Sequence, residues 1–262
     1  MPENKKKVIV CGYQKSGTTW ATRLVAQLLG APSAGYWGYE GKTFVVEGGQ
    51  RESELVCYQS HHMLSELQNS SEAKIDKVIY IVRDPRDIVV SGIFHFKFYS
   101  HWLEHLIKQA KFPHPMITLL KSVNARSQSR NYRINRMLHM LKHGDGFIEH
   151  CHWSWNDHVM PYLEGKDILV IRYEDLLLSG LETAKCILEY AQMEKPEKDI
   201  ENDLKLQSFP IKKKAFDQRG EKIKVKHMRK GIVGDWKNSL SPDHVQAILR
   251  THGELMQRLN YI

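Results

Sequence analysis

Apolar residues fall along this chain in short solid runs separated by stretches with helical spacing. Val8-Ile9-Val10-Cys11 is continuous and apolar, the pattern of a buried parallel strand, and it leads straight into Gly12 and Gly17. Trp20, Leu24, Val25, Leu28 and Leu29 then recur at i, i+4, i+5, i+8 and i+9, one apolar stripe of a helix that Gly30 and Pro32 bring to an end. Segments 54–58, 77–82 and 167–171 read as strands rich in Val, Ile and Leu, each with a helix after it. Asp84-Pro85 opens one such helix, through Ile88, Val89 and Ile93, because proline is tolerated in a first turn. Leu181, Ala184, Ile187, Leu188 and Ala191 stripe another. Ser241-Pro242 caps a last helix carrying Val245, Ile248, Leu249, His252, Leu255, Met256 and Leu259. Strand and helix alternating in this way predict an α/β fold: a parallel sheet with helices on both faces and the ligand at the carboxyl ends of the strands.

Length and composition agree with one domain. The 262 residues are 42% hydrophobic, enough for one sizeable core, and no linker, repeat or low-complexity tract divides positions 1–262. No run of 18 apolar residues occurs, and Met1-Pro2-Glu3-Asn4 followed by three lysines lacks the apolar core of a signal peptide, so the expected setting is soluble and cytoplasmic, with no membrane partner. Cys11, Cys57, Cys151 and Cys186 have no metal-ligand spacing, which points to reduced, packed thiols and no metal.

Charge changes the picture at one place. Of the net +8, positions 212–230 carry nine Lys/Arg against Asp217 and Glu221, and the stretch ends in Arg229-Lys230-Gly231. A basic pair followed by a flexible residue can clamp an anion with side chains and backbone together. A solvated face or a nucleic-acid patch would carry the same charge.

Residues 12–19, Gly-Tyr-Gln-Lys-Ser-Gly-Thr-Thr, then supply chemistry. A strand-to-helix turn directs backbone N–H groups and the positive helix end at one spot, which suits a phosphate. A nucleoside-triphosphatase loop reads G-x-x-x-x-G-K-[ST], with its lysine on the terminal phosphates and its hydroxyl on Mg²⁺. Here Gly12 and Gly17 keep the spacing, but Thr18 and Thr19 follow, and the loop's lysine is Lys15, three positions early. Fewer phosphates and no metal are expected.

Three more polar features sit at predicted strand ends. Arg83 leaves the 77–82 strand with Ser91 eight residues on; it can fork onto a phosphate that Ser91 also reaches, or pair with Asp84 or Asp87. Ser60-His61-His62 puts an imidazole beside the loop, as a base or as a polar residue satisfied by its neighbours. Arg172-Tyr173-Glu174-Asp175 ends another strand, with Tyr173 placed to lie against a purine.

Taken together, the 12–20 loop, Arg83 with Ser91, Tyr-Glu-Asp-Leu at 173–176 and Arg-Lys-Gly-Ile-Val-Gly-Asp-Trp-Lys-Asn at 229–238 resemble the signatures of cytosolic-type sulfotransferases, P-loop-containing enzymes that use 3′-phosphoadenosine 5′-phosphosulfate (PAPS). The resemblance runs from Val8 to Asn238 in the family's order. It implies that Lys15, Ser16, Gly17, Thr18, Thr19 and Trp20 hold the 5′-phosphosulfate, Lys15 on the bridging oxygen and Trp20 near the adenine. It further implies that Arg83, Ser91, Arg229, Lys230 and Gly231 hold the 3′-phosphate, and that Tyr173 and Ser208 complete the nucleotide site. The basic 212–230 stretch becomes a segment that orders over the nucleotide. His61 aligns with the family's base, His62 being its rival, and adenosine 3′,5′-bisphosphate (PAP) is the product.

The sequence also departs from the family pattern. Gln59 stands where the family commonly has Lys two residues before the His. The family's dimer segment Lys-x-x-x-Thr-Val-x-x-x-Glu is matched poorly by Lys237, Ser241-Pro242 and Gln246, which argues for a monomer or weak dimer. The implied partner is a small-molecule acceptor with a hydroxyl or an amine, rather than nucleic acid. Aromatics at 36–39 and 94–99 line its pocket or fill the core, and 100–165, with His101-Trp102, Trp153 and Trp155, is expected to shape acceptor choice. A P-loop small-molecule kinase is the competing enzyme class, one that needs a GK[ST] loop and Mg²⁺; a basic nucleotide or nucleic-acid binder needs no histidine.

Overall fold

Successive residues of the first strand feed two different cores. Val8 and Val10 pack into one apolar cluster, and Ile9 and Cys11 into the other, because side chains alternate across a sheet buried on both faces. The computed structural model describes residues 5–38, 46–69, 74–98, 100, 103, 106, 114–146, 151–222 and 231–262. Within them the strands are β1 (Lys6–Cys11), β2 (Ser33–Tyr36), β3 (Leu55–Ser60), β4 (Lys77–Val82) and β5 (Ile168–Arg172). They form one parallel sheet in the order β2-β3-β1-β4-β5. The helices are α1 (Thr18–Leu28), α2 (Leu64–Gln68), α3 (Pro85–His95), α4 (His114–Ser127), α5 (Arg130–His143), α6 (Trp155–Glu164), α7 (Tyr173–Leu178), α8 (Gly180–Tyr190), α9 (Glu197–Leu206), α10 (Phe209–Gln218) and α11 (Pro242–Arg258), with a 3₁₀ turn at Asp235–Asn238.

The two faces differ in character. On one, α1, α8 and α9 bury Leu24, Val25, Leu28, Ala184, Ile187, Leu188 and Ile200 against Val8, Val10, Ile79 and Ile81. On the other, α3, α5, α6 and α11 bury Ile88, Ile93, Met137, Met140, Trp155, Val159 and Met256 against Ile9, Tyr80 and Val82. Each fully buried side chain of this size contributes roughly 1.5–3 kcal/mol. The second face also contains His158, Tyr80 and Tyr162, polar groups that must find partners inside it.

The expected elements lie close to where the pattern put them. The 77–82 strand has the bounds read from it, and 54–58 and 167–171 shift by a residue or two to Leu55–Ser60 and Ile168–Arg172. Asp84 caps α3 by accepting from the Arg86 N–H at 2.8 Å, with Pro85 in the first turn. Ser241 caps α11 in the same way. Strand β2 carries no such signal, because Ser-Ala-Gly-Tyr has no apolar run; it pairs to β3 with a register shift, and its Ser33 adds an isolated antiparallel bridge to Glu47. Of the aromatics left between lining and core, Trp37 and Phe98 are core, Tyr36 and His95 reach the cleft, and Phe94 is exposed. Trp155 is fully buried against His252 whereas Trp153 is half exposed; Tyr39, Tyr99, His101 and Trp102 lie outside the described residues.

Candidate active site

The loop after β1 turns so sharply that it needs two left-handed residues, Lys15 at φ 70° and Gly17 at φ 87°. Gly12 is required for a different reason: a Cβ there would stand 2.6 Å from the Ile81 carbonyl of β4. A Cβ on Gly17 would meet the Tyr173 ring at 2.5 Å, so loop and ring are in direct contact. This close approach lets the loop sit over the carboxyl ends of β1, β3, β4 and β5 beside a cleft of about 310 Å³.

Among the described residues the cleft brings together Lys15, Gly17, Thr18, Thr19, Trp20, His61, Arg83, Ser91, Tyr173 and Gly231. Ser16 lies beneath the loop, fully buried. Ser16 Oγ, Thr18 Oγ1 and Arg83 Nε are buried polar atoms without a hydrogen-bond partner among the described residues. Such atoms have already been desolvated by folding and gain most when an anion meets them.

Arg83 is oriented by its neighbours. It donates to the Lys15 carbonyl at 3.1 Å, and its guanidinium lies 4.3 Å from the centre of the Tyr173 ring, which is edge-on to Trp20 at 5.7 Å. The acids that might have claimed it are engaged elsewhere. Asp84 takes Arg86, and Asp87 accepts the backbone N–H groups of Gly234 at 2.7 Å and Trp236 at 3.0 Å. Asp87 and Arg86, the latter 4.0 Å over the Trp236 ring, tie the segment after Gly231 to α3, the helix that carries Ser91. Burial first, and the Arg83 charge second, push the Lys15 ammonium down to about 8.

Ser208 is the exception to the expected grouping. It precedes α10 and does not line the cleft, whereas Phe209, Lys212 and Phe216 do. The first half of the basic stretch is therefore an anchored helix: Lys212 is ion-paired at 2.6 Å to Glu47, which also accepts from Gln207. Gln207 in turn takes the Trp20 indole N–H on its carbonyl at 2.7 Å. Arg229 and Lys230 lie outside the described residues.

At the other end, His61 is buried with Nδ1 2.6 Å from the Gly12 carbonyl. A carbonyl accepts, so Nδ1 carries the proton and Nε2 keeps its lone pair. The Gln59 amide lies 3.3 Å from that Nε2 and donates to the Tyr36 hydroxyl at 3.2 Å. His62 turns away: its Nδ1 is 2.9 Å from Ser60 Oγ, and its ring lies under Gly38. Tyr36 and His95 reach the cleft from the two aromatic segments expected to line the acceptor pocket or fill the core, Lys212 and Phe216 come from the basic 212–230 stretch, and Gln59 and Arg23 join them.

The α/β sheet thus carries a glycine loop with buried donors and an oriented histidine at one cleft, an arrangement that suits a nucleotide-dependent transferase. A family model, the sulfotransferase domain, matches residues 5–260, and the chain belongs to that family. It is 28% identical to sulfotransferase 2A1 of Rattus norvegicus, over 95% of this chain and 84% of that one. To a 3-alpha-hydroxysteroid sulfotransferase of Cavia porcellus it is 26% identical, over 95% and 83%. Mouse sulfotransferase SULT7A1, solved with PAP, superposes with a TM-score of 0.63 at 20% identity, covering 96% of this chain and 85% of that one. Retinol dehydratase, solved with androsterone and PAP, gives 0.61 at 16% identity, covering 95% and 80%; both likenesses are of fold. The chain is accordingly a PAPS-dependent sulfotransferase. No helix among the described residues is long and apolar enough to cross a membrane, and no cluster among them could hold a metal.

Proposed function

We propose that the enzyme transfers the sulfuryl group of PAPS to a hydroxyl of a small lipophilic acceptor, with His61 as general base and Lys15 stabilising the leaving phosphate. The observation that carries this reading is the pairing, in one cleft, of Thr18 and Arg83, whose buried donors have no partner among the described residues, with a histidine whose tautomer leaves Nε2 as acceptor. PAPS supplies an activated sulfuryl group on a phosphate leaving group. The loop residues 15–20 would hold its 5′ end, Arg83, Ser91 and Gly231 its 3′-phosphate together with Arg229 and Lys230, and Trp20 and Tyr173 its base.

His61 Nε2 takes the acceptor proton as the acceptor oxygen attacks sulfur, and the imidazolium that forms is stabilised through Nδ1–H to the Gly12 carbonyl. Lys15, whose ammonium is depressed by burial and by Arg83, regains its proton affinity beside an anion and balances the charge that develops on the departing phosphate. Gln59 gives the acceptor end a neutral amide where a cation would otherwise stand, so charge compensation falls to the donor end. The name of one relative, a 3-alpha-hydroxysteroid sulfotransferase, and the androsterone of a solved neighbour support an alcohol on an apolar frame as the acceptor class.

The test is a sulfation assay with labelled PAPS against alcohols, phenols and amines, run beside thermal shifts with PAP, Mg-ATP and an oligonucleotide. The expected outcome is stabilisation by PAP and label transfer to alcohols. Stabilisation by Mg-ATP alone would establish the kinase class instead, and stabilisation by the oligonucleotide alone a nucleic-acid binder.

A further inference from the structure

Behind the cleft, on the face packed by α3, α5, α6 and α11, a chain of polar groups runs through an otherwise apolar core to the backbone of His61. His158 and Tyr162 stand at i and i+4 on α6, on one side of that helix, and both are fully buried. His158 Nε2 lies 3.0 Å from the carbonyl oxygen of His61, and His158 Nδ1 lies 2.8 Å from the Tyr80 hydroxyl on β4. The carbonyl can only accept, so Nε2 holds the proton and Nδ1 accepts from Tyr80. Burial, the largest influence, pushes the His158 imidazole down to about 4, and this one neutral tautomer therefore persists across the neutral range. One turn on, the Tyr162 hydroxyl donates to the His62 carbonyl at 2.7 Å and lies 3.1 Å from Cys11 Sγ.

These contacts fall where the sheet stops helping. β3 ends at Ser60, and residues 61–63 belong to neither strand nor helix. The backbone carbonyls of His61 and His62 are instead gripped by two side chains of α6, while the His61 ring is gripped from the front by Gly12. We propose that His158, backed by Tyr80, is a positioning residue for the sulfuryl-transfer reaction: it fixes the main chain of His61 so that Nε2 stays aimed into the cleft. The inference rests on the reading of His61 as the base. It adds a second histidine that never meets substrate, and it assigns Tyr80 the task of holding that histidine's ring through Nδ1.

Misplacing a reacting group by about 1 Å costs on the order of 10²-fold in rate. His158→Leu should therefore lower kcat roughly 10- to 100-fold, with PAP affinity and acceptor KM within about threefold of wild type. His158→Gln, which keeps an N–H for the His61 carbonyl, should recover part of the loss. Tyr80→Phe should show a smaller loss, about 3- to 10-fold, because the donor to Nδ1 is gone while the ring remains. In a His61→Ala background, His158→Leu should have little further effect on turnover, since the residue it positions has been removed.

Wild-type kcat in His158→Leu and Tyr80→Phe would overturn the proposal. So would an undiminished further loss in the double variant, which would mark His158 as a support of the whole fold. Should His158→Leu not fold, His158→Gln and Tyr80→Phe decide by the same split between kcat and KM. His61→Ala with wild-type turnover would overturn the base assignment itself, a failure distinguishable from that of His158.

Discussion

The two ends of the cleft, which the proposed reading assigns to donor and acceptor, are built on opposite plans. At the donor end, Ser16 Oγ, Thr18 Oγ1 and Arg83 Nε arrive buried and without partners among the described residues, with Lys15 and Arg83 side by side. At the acceptor end, Tyr36, Gln59, His61 and Gly12 already form a chain of hydrogen bonds. A group of the first kind has been stripped of water by folding and gains nearly the whole of a charge-assisted bond when an anion binds; a group of the second kind must give up one partner to take another. Affinity should therefore come from the donor end. Discrimination among acceptors, and proton transfer, should come from the other.

The largest effect that would sharpen this division is on turnover. His61→Ala should lower kcat by about 10²–10⁴-fold, the usual contribution of a positioned base, while calorimetric PAP binding stays near wild type. A parallel loss of both would mean the two ends are not separable. Next, Lys15→Met should cost about 10²–10³-fold in kcat, as removal of a donor to a developing anion does, and should weaken PAP as well.

Smaller again, Arg83→Met removes a charged hydrogen bond of about 1.5–3 kcal/mol, so PAP affinity should fall roughly 10- to 100-fold with kcat at saturating PAPS little changed. A large fall in kcat there would break the assignment of Arg83 to ground-state binding. The smallest effect is on pH dependence. Lys15 in the free enzyme is depressed to about 8, and a bound anion raises it. PAP affinity should therefore be flat below pH 8 and fall above it by up to about tenfold per unit, with proton uptake measurable by calorimetry in two buffers. An affinity independent of pH up to 10 would show that Lys15 does not face the anion.

How much of this could be read in advance follows the same division. Gly12, Lys15, Gly17, Thr18 and Trp20 belong to one continuous segment, Arg83 and Tyr173 each follow directly on a strand whose apolar run is plain in the chain, and Ser91 lies on the helix that follows Arg83. Parallel strands deliver their carboxyl ends to one edge, so whatever follows each strand must converge there. Tyr36 and His95 carried no such signal. Tyr36 ends an edge strand without an apolar run, and His95 ends α3. Ser208 shows the reverse, since a motif-like position came out one residue away from Phe209, which lines the cleft.

By itself the sequence determined the sheet and the strand-to-helix glycine loop, because these depend on local periodicity and on glycines that sterics make irreplaceable. Only the tertiary structure decided which polar atoms stay unpaired and which are satisfied in advance. That outcome depends on contacts such as His158 to His61 and Asp87 to Gly234, between residues 97 and 147 positions apart, which no local pattern encodes.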